Sequence, residues 1–264
     1  MPGERDFAGR LRWWRRRRGW SQLALAGRAQ ISQRHLSFLE LKRAAPSRDM
    51  VVRLASTLDL PLREQNALLR AAGFAPVWRE TALGAPALRQ VMSAVDYIMA
   101  QQEPYPAVAV DRHWNLLKGN GGAARLVEFL VGPLAPDAKV NLADALVAPA
   151  VLRPHLVNWP QVARYFIRSV EADAAADGTE ESAVLLERLL AYDGVAAVMK
   201  VLAEESVSLP VLPMHFRKGE VSLELFTTIA TLGTPRDITL QELRIECFFP
   251  MDDATAKTLR GWAA

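Results

Sequence analysis

"SQLALAGRAQISQRHLSFLE", Ser21 to Glu40, holds two short helical patterns with almost nothing between them. The first, "QLALAGRA", is small and apolar; Leu23, Leu25, Ala26 and Ala29 make its expected inward side. The second, "SQRHLSFLE", opens on side chains that both donate and accept hydrogen bonds. Ser21 and Ser32 precede the two patterns, each placed to take an orphan backbone N–H as an N-cap. Helices joined by three or four residues must cross steeply, and Ala26, Ile31 and Leu36 fill that crossing as a helix-turn-helix. Leu36 and Leu39 hold the second helix down, so Gln33, Arg34 and Ser37 point away from the body. Gln and Arg there match adenine and guanine edges in a major groove.

Further helices flank this pair. Phe7, Leu11 and Trp14 share one face of a helix ending near Gly19. Ser47 caps "RDMVVRLASTL", and "LREQNALLRAA" stops at Gly73, a residue suited to a left-handed cap. Residues 1–75 carry 15 Lys/Arg against 6 Asp/Glu, whereas residues 76–264 carry 17 against 23. A basic head on an acidic body points to a polyanion as the partner of the head. The run Arg15 to Arg18 offers either phosphate contacts or a solvated helix end. Trp13 and Trp14 cannot both face one core. Half of the 264 residues are apolar, and Cys247 is the single cysteine, so no internal disulfide exists. The expected compartment is a reducing cytoplasm. No apolar run is long enough to span a membrane, and the basic start lacks a signal-peptide pattern.

The head, "SQLALAGRAQISQRHLSFLE" followed by "PSRDMVVRLASTLDLPLREQNALLRAAGF", resembles the Cro/lambda-repressor-like, or XRE-type, DNA-binding domain. "RHLSFLE" and "LPLREQNALLRAAGF" resemble its MmyB-like branch. The resemblance implies that Gln22 starts the second helix near phosphate. It also implies that Ser32, Gln33, Arg34 and Ser37 face bases and that Arg43 reaches the DNA backbone. Gln30 and Lys42 stand where that family usually has glycine, so Gln30 is a candidate for a left-handed conformation.

Residues 76–90 are rich in Gly, Pro and Ala and read as a linker; residues 91–264 form the second domain. "PAVAVDRHWNLLKGN" reads as two strands turning at Asp111–His113. Helical segments follow, and the chain closes on three strands, "LPMHFRK", "VSLELFTTIATL" and "ITLQELRIECFF". Leu243, Ile245, Cys247 and Phe249 alternate with Glu242, Arg244 and Glu246, as on a sheet with one wet side. "YPAVAVDRHWNLLKGN", "RPHLVNWPQVARYF" and the closing strands resemble the PAS-like ligand-binding domain of the MmyB-like family. That resemblance implies a five-stranded antiparallel sheet, helices over it and an apolar pocket between them. The fold class is therefore an all-α helix-turn-helix domain followed by an α+β PAS-like domain.

Inward strand positions for such a pocket are Val108, Val110 and Leu116, with Met214, Phe216, Leu223, Leu225, Leu243 and Ile245. Apolar helix faces offer Phe166, Val170, Leu190, Val198 and Leu202. Such walls suit an acyl chain or a flat metabolite. The resemblance places Arg153, His155, Asn158 and Arg164 beside the pocket, and Asn158 is positioned to cap the following helix.

A rival motif is "GNGGAA", where Gly119, Gly121 and Ala124 satisfy G-x-G-x-x-[GA] and Asp144 lies about 20 residues on, as in a dinucleotide fingerprint. Its flanking strands read as a hairpin rather than a parallel βαβ unit, and Asn120 reads as an N-cap. His35, His113, His155 and His215 lack metal-ligand spacing, so neither a metal nor a catalytic residue is assigned. The reading is a non-enzymatic, one-component regulator that needs no cofactor. It pairs double-stranded operator DNA with a small apolar ligand such as a fatty acid, and acts as a homodimer. The alternatives are a cofactor-binding enzyme fused to a DNA-binding head, and a body that only dimerises.

Overall fold

The computed structural model describes residues 6–135, 138–200 and 211–263. They fall into two compact units, residues 1–81 with 234–241, and residues 82–233 with 242–264.

The first unit contains α1 (Phe7–Arg17), α2 (Gln22–Arg28), α3 (Gln33–Glu40), α4 (Arg48–Thr57) and α5 (Leu62–Ala71). Four of them start on a side-chain cap: Asp6, Ser21, Ser32 and Ser47 each accept a hydrogen bond from the backbone N–H three residues on. Leu11, Leu25, Leu36, Leu39 and Leu54 fill the common core. Leu23 departs from its expected inward place and is 65% exposed, because the short α2 buries only Leu25 and Ala26. Gln30 and Lys42 both adopt left-handed conformations, with φ of 54° and 60°, at the two positions where glycine would be unstrained. Trp14 is buried, and Trp13 packs partly buried on the same core, edge-on to Trp14 at 4.7 Å.

The arginine run divides. Arg15 is buried and holds Glu40 in a two-point pair, Nε to Oε1 at 2.6 Å and Nη2 to Oε2 at 2.8 Å. Arg18 donates to the carbonyls of Leu58 and Asp59. These two build the fold, while Arg16 and Arg17 remain exposed. Burial alone would raise the Glu40 carboxyl, but hydrogen bonds from Arg15 and Gln22 outweigh it and hold it below the usual carboxylate range.

In the second unit the described residues form a five-stranded sheet in the order β2-β1-β5-β4-β3, antiparallel throughout. The strands are β1 (Ala107–Val110), β2 (Leu116–Gly119), β3 (Met214–Lys218), β4 (Val221–Thr231) and β5 (Arg244–Pro250). Around them run α6 (Arg89–Gln101), α7 (Gly121–Val131), α8 (Leu142–Val147), α9 (Trp159–Asp177), α10 (Glu180–Leu190) and α11 (Val195–Lys200). Two corrections to the expected closing strands follow. "ITLQE" is a short helix, α12 (Ile238–Glu242), all but its last residue in the first unit, because Asp237 accepts from Thr239 N and starts a helical turn. The last element described is a helix, α13 (Asp253–Gly261), capped by Asp252.

The expected wet side of the sheet is also corrected. Ala107, Ala109, Leu243, Ile245 and Cys247 pack with Val95 and Met99 of α6 on one face. Val108, Val110, Phe216, Leu223, Leu225 and Phe248 pack toward the other helices. A strand covered on both faces has no reason to alternate apolar with polar.

The buried Arg15–Glu40 pair yields a prediction. Removing one partner leaves the other charge buried and unmet, at a cost of roughly 3–5 kcal/mol. Glu40→Ala should therefore speed amide exchange throughout α1 and α3 by a matching factor. A change equivalent to less than about 1 kcal/mol, the range of an exposed pair, would show that this pair is a surface contact.

Candidate DNA-reading helix and ligand cavity

The front of α3 is built by restraint from behind. Leu36 and Leu39 are buried, and Glu40 is pinned by Arg15. Gln33 and Arg34 are consequently exposed on the first turn. Ser32 is exposed, and its hydroxyl oxygen accepts from His35 N, which begins the helix. Ser37 is half-buried one turn further on. Gln22 donates its amide to Glu40 Oε2 at 2.8 Å, which locks the start of α2 against the end of α3. Arg43 is exposed beyond the helix, and its N–H closes the turn on the Phe38 carbonyl at 2.8 Å. Lys42 meets Asp6 at 2.5 Å instead of standing free. Half-buried Phe38 carries the Arg34 guanidinium over its ring at 5.3 Å, a support that sequence spacing did not single out. The i,i+4 separation of Arg34 and Phe38 was the available signal.

The second unit holds a cavity of about 600 Å³ between the sheet and α7, α8 and α9, partly open to solvent beside Tyr165 and Ile229. Of the sequence-selected positions, Val108, Phe166, Met214 and Phe216 line it. Val110, Val170, Val198, Leu223 and Leu225 pack in the core around it without reaching its surface, and Leu116 is partly buried beside that core. Leu243 and Ile245 are corrected to the opposite, α6-covered face. Leu190 is 42% exposed, so it is corrected to the outside of α10. Leu202 lies outside the described residues.

Arg153 and Asn158, before α9, make structural contacts. Arg153 lies 3.5 Å over the Trp159 ring and donates to the Asp193 carbonyl. Asn158 makes no side-chain cap, contrary to expectation. It instead donates to the Pro213 carbonyl and accepts from His215 N, tying α9 to β3. His155 and Arg164 are half-buried, and none of the four lines the cavity.

Residues missed by the sequence reading supply much of the wall, among them Trp114, Leu126, Leu146, Phe248 and Glu246. Trp114 is aimed by a turn: Asp111 Oδ1 accepts from His113 N and Asn115 N, and Trp114 takes φ 65°. Its ring is 2% exposed and meets Phe166 at 4.4 Å. Glu246 is 6% exposed on the central strand. Burial pushes its carboxyl up to about 7, against the opposing pull of the Thr227 hydrogen bond and the Arg244 charge.

The glycine motif has a different use. β1 and β2 are antiparallel, so no parallel βαβ unit surrounds it. Asn120 occupies the start of α7, accepting from Ala123 N and Ala107 N. A Cβ at Gly122 would fall 2.6 Å from the Pro104 carbonyl oxygen, so glycine lets the helix approach the preceding chain.

Comparison with known proteins agrees with this division. Residues 91–261 match the MmyB-like transcription regulator ligand binding domain, and residues 11–65 match the Helix-turn-helix family. No curated protein matches the chain. Since the first match alone spans more than half of the sequence, the chain belongs to the MmyB-like branch of the XRE-family transcription regulators.

Proposed function

We propose that this regulator reads operator DNA with the exposed front of α3 and is controlled by an apolar small molecule held in the cavity of its PAS-like second unit. The observation that carries the ligand reading is the cavity itself. Its walls are mostly apolar, and its volume, about 600 Å³, suits an acyl chain or a flat metabolite. A body that served only to dimerise would have no need to leave that space between sheet and helices. The polar front of α3 and the excess of positive charge in residues 1–75 support the DNA reading.

Assembly as a homodimer fits two recognition helices entering major grooves one turn apart. The leading helix α6 supports it: Val95 and Met99 are buried, while Tyr97 and Ile98 are 66% and 39% exposed. Light scattering at micromolar concentration should give the mass of two chains. A monomer that binds a single half-site sinks this part of the reading.

Replacing Gln33 or Arg34 with Ala should cost ~1–3 kcal/mol at the operator and relax base preference at one position. Arg43→Ala should weaken all sequences alike and lower the salt slope by roughly one. Operator variants titrated across salt separate the two behaviours. Unchanged preference in both α3 variants rejects the base-reading assignment.

For the cavity, native mass spectrometry of freshly purified protein should show a bound small molecule. Val108→Phe adds bulk to the wall and should cut occupancy at least about tenfold while operator binding by the ligand-free protein persists. A ligand whose removal leaves operator affinity unchanged would keep the site and discard the switch.

A further inference from the structure

Arg34 is held differently from the arginines of α1. Arg12 donates to the Glu40 carbonyl, Arg15 to the Glu40 carboxylate, and Arg18, just past the helix, to the Leu58 and Asp59 carbonyls. Their donors serve the fold. Arg34 is exposed and, among the described residues, meets neither a carboxylate nor a carbonyl. Its guanidinium carbon lies 5.3 Å from the centre of the Phe38 ring, one turn along α3. Phe38 stands on a fixed stretch of backbone. Its carbonyl accepts from Arg43 N at 2.8 Å and from Ala44 N at 3.3 Å, and the next two residues, Leu39 and Glu40, are buried. A half-buried ring on a pinned backbone thus carries a long, exposed cation.

We propose that Phe38 positions Arg34 for guanine: the ring supports the face of the guanidinium, leaves its N–H edge outward, and so sets the base preference where Arg34 reads without touching a base itself. This rests on α3 being the base-reading helix. A guanidinium has two distinct surfaces. Its face is attracted to the ring quadrupole, while its N–H groups lie in the plane and point out from the edge. Stacking on Phe38 uses the face and leaves the edge, which matches the O6 and N7 acceptors of guanine. It also removes rotamers that an unsupported arginine would have to give up on binding. A carboxylate partner would fix the side chain too, but it would occupy that same edge. Phe38 is on this account a positioning residue. Support of this kind at an exposed site corresponds to about a two- to fivefold change in an equilibrium, and the guanine contact itself to about fivefold or more. Loss of the ring should therefore weaken discrimination without abolishing it.

The test uses the full-length protein to select duplexes from a random-sequence DNA library. The position whose base preference disappears in Arg34→Ala is the one Arg34 reads, and guanine should be preferred there. Affinities are then measured for the best selected duplex and its single-base variants at that position. Phe38→Ala should lower the guanine preference about two- to fivefold. Phe38→Tyr keeps a ring face and should retain the preference; Phe38→Leu keeps apolar bulk without a face and should not. Adding Phe38→Ala to Arg34→Ala should change the preference at that position no further. The salt slope on random-sequence DNA should be the same in the unaltered protein and the three Phe38 variants, because no phosphate contact is lost. Leucine serving as well as tyrosine assigns Phe38 to packing and overturns the inference, and this comparison decides the matter even if the alanine variant fails to fold. A preference that Phe38→Ala shifts at some other position means that the ring reads a base itself, which also overturns it. If Arg34→Ala leaves every base preference unchanged, the base-reading assignment of Arg34 fails along with this inference. A preference lost in Arg34→Ala but intact in Phe38→Ala defeats this inference alone.

Discussion

The register of β5 is the constraint on which the second unit depends. β5 is hydrogen-bonded along both edges, to β1 and to β4, and covered on both faces. Its alternate side chains therefore enter two different environments. Ile245 and Cys247 face α6, whereas Glu246 and Phe248 face the cavity. Val108 and Ile229 flank Glu246 across the two ladders. A slip of one residue would exchange the faces, placing Cys247 in the cavity and the Glu246 carboxyl among Val95, Met99 and Leu243. Burying an unpaired carboxylate in that wholly apolar layer is costly enough to exclude the slipped register. A polar residue of the cavity wall thus also helps hold the sheet in register.

One carboxylate plays the corresponding part in the first unit. Glu40, on α3, receives Arg15 from α1 and Gln22 from α2, and its backbone carbonyl receives Arg12. Three helices are thus tied at one buried point. Such a network contributes little net stability, since desolvation of both ions offsets their attraction. Its effect is geometric, because planar guanidinium and carboxylate groups meet in one orientation. With the end of α3 fixed in this way and Leu36 beneath it, the exposed residues of its first turn have one direction in which to point.

The sequence made the first unit legible for a local reason. Each helix announces itself by a cap, an apolar spacing or a glycine, all within a few residues, and the five helices fall where those signals lie. The pair Arg15–Glu40 was not legible, because its partners are 25 residues apart and both look like surface charges in isolation. The strands of the second unit were also visible from composition and turns. Which side of the sheet each residue faced was not. Alternation identified the wet face of β5 on the assumption that one existed, and α6 removed that assumption. Leu243 and Ile245 were therefore assigned to the wrong layer, and Glu246 was read as solvent-facing. Trp114 escaped for a related reason: its direction is set by a left-handed residue in a turn, which periodicity cannot foresee.

The connection between β4 and β5 leaves the second unit and supplies part of the first. Thr227 and Ile229 at one end of it, and Glu246 and Phe248 at the other, line the cavity. The intervening residues 234–241 belong to the first unit. There Asp237 accepts from the Thr81 hydroxyl at 2.6 Å, and Ile238 N donates to the Arg79 carbonyl. Gln241 has a more specific task. Pro61 stands at the N-cap of α5 and has no side-chain oxygen, so the first turn lacks a local acceptor. Gln241 Oε1 supplies it, accepting from Leu62 N at 2.8 Å. A cap of this kind is worth about 1 kcal/mol.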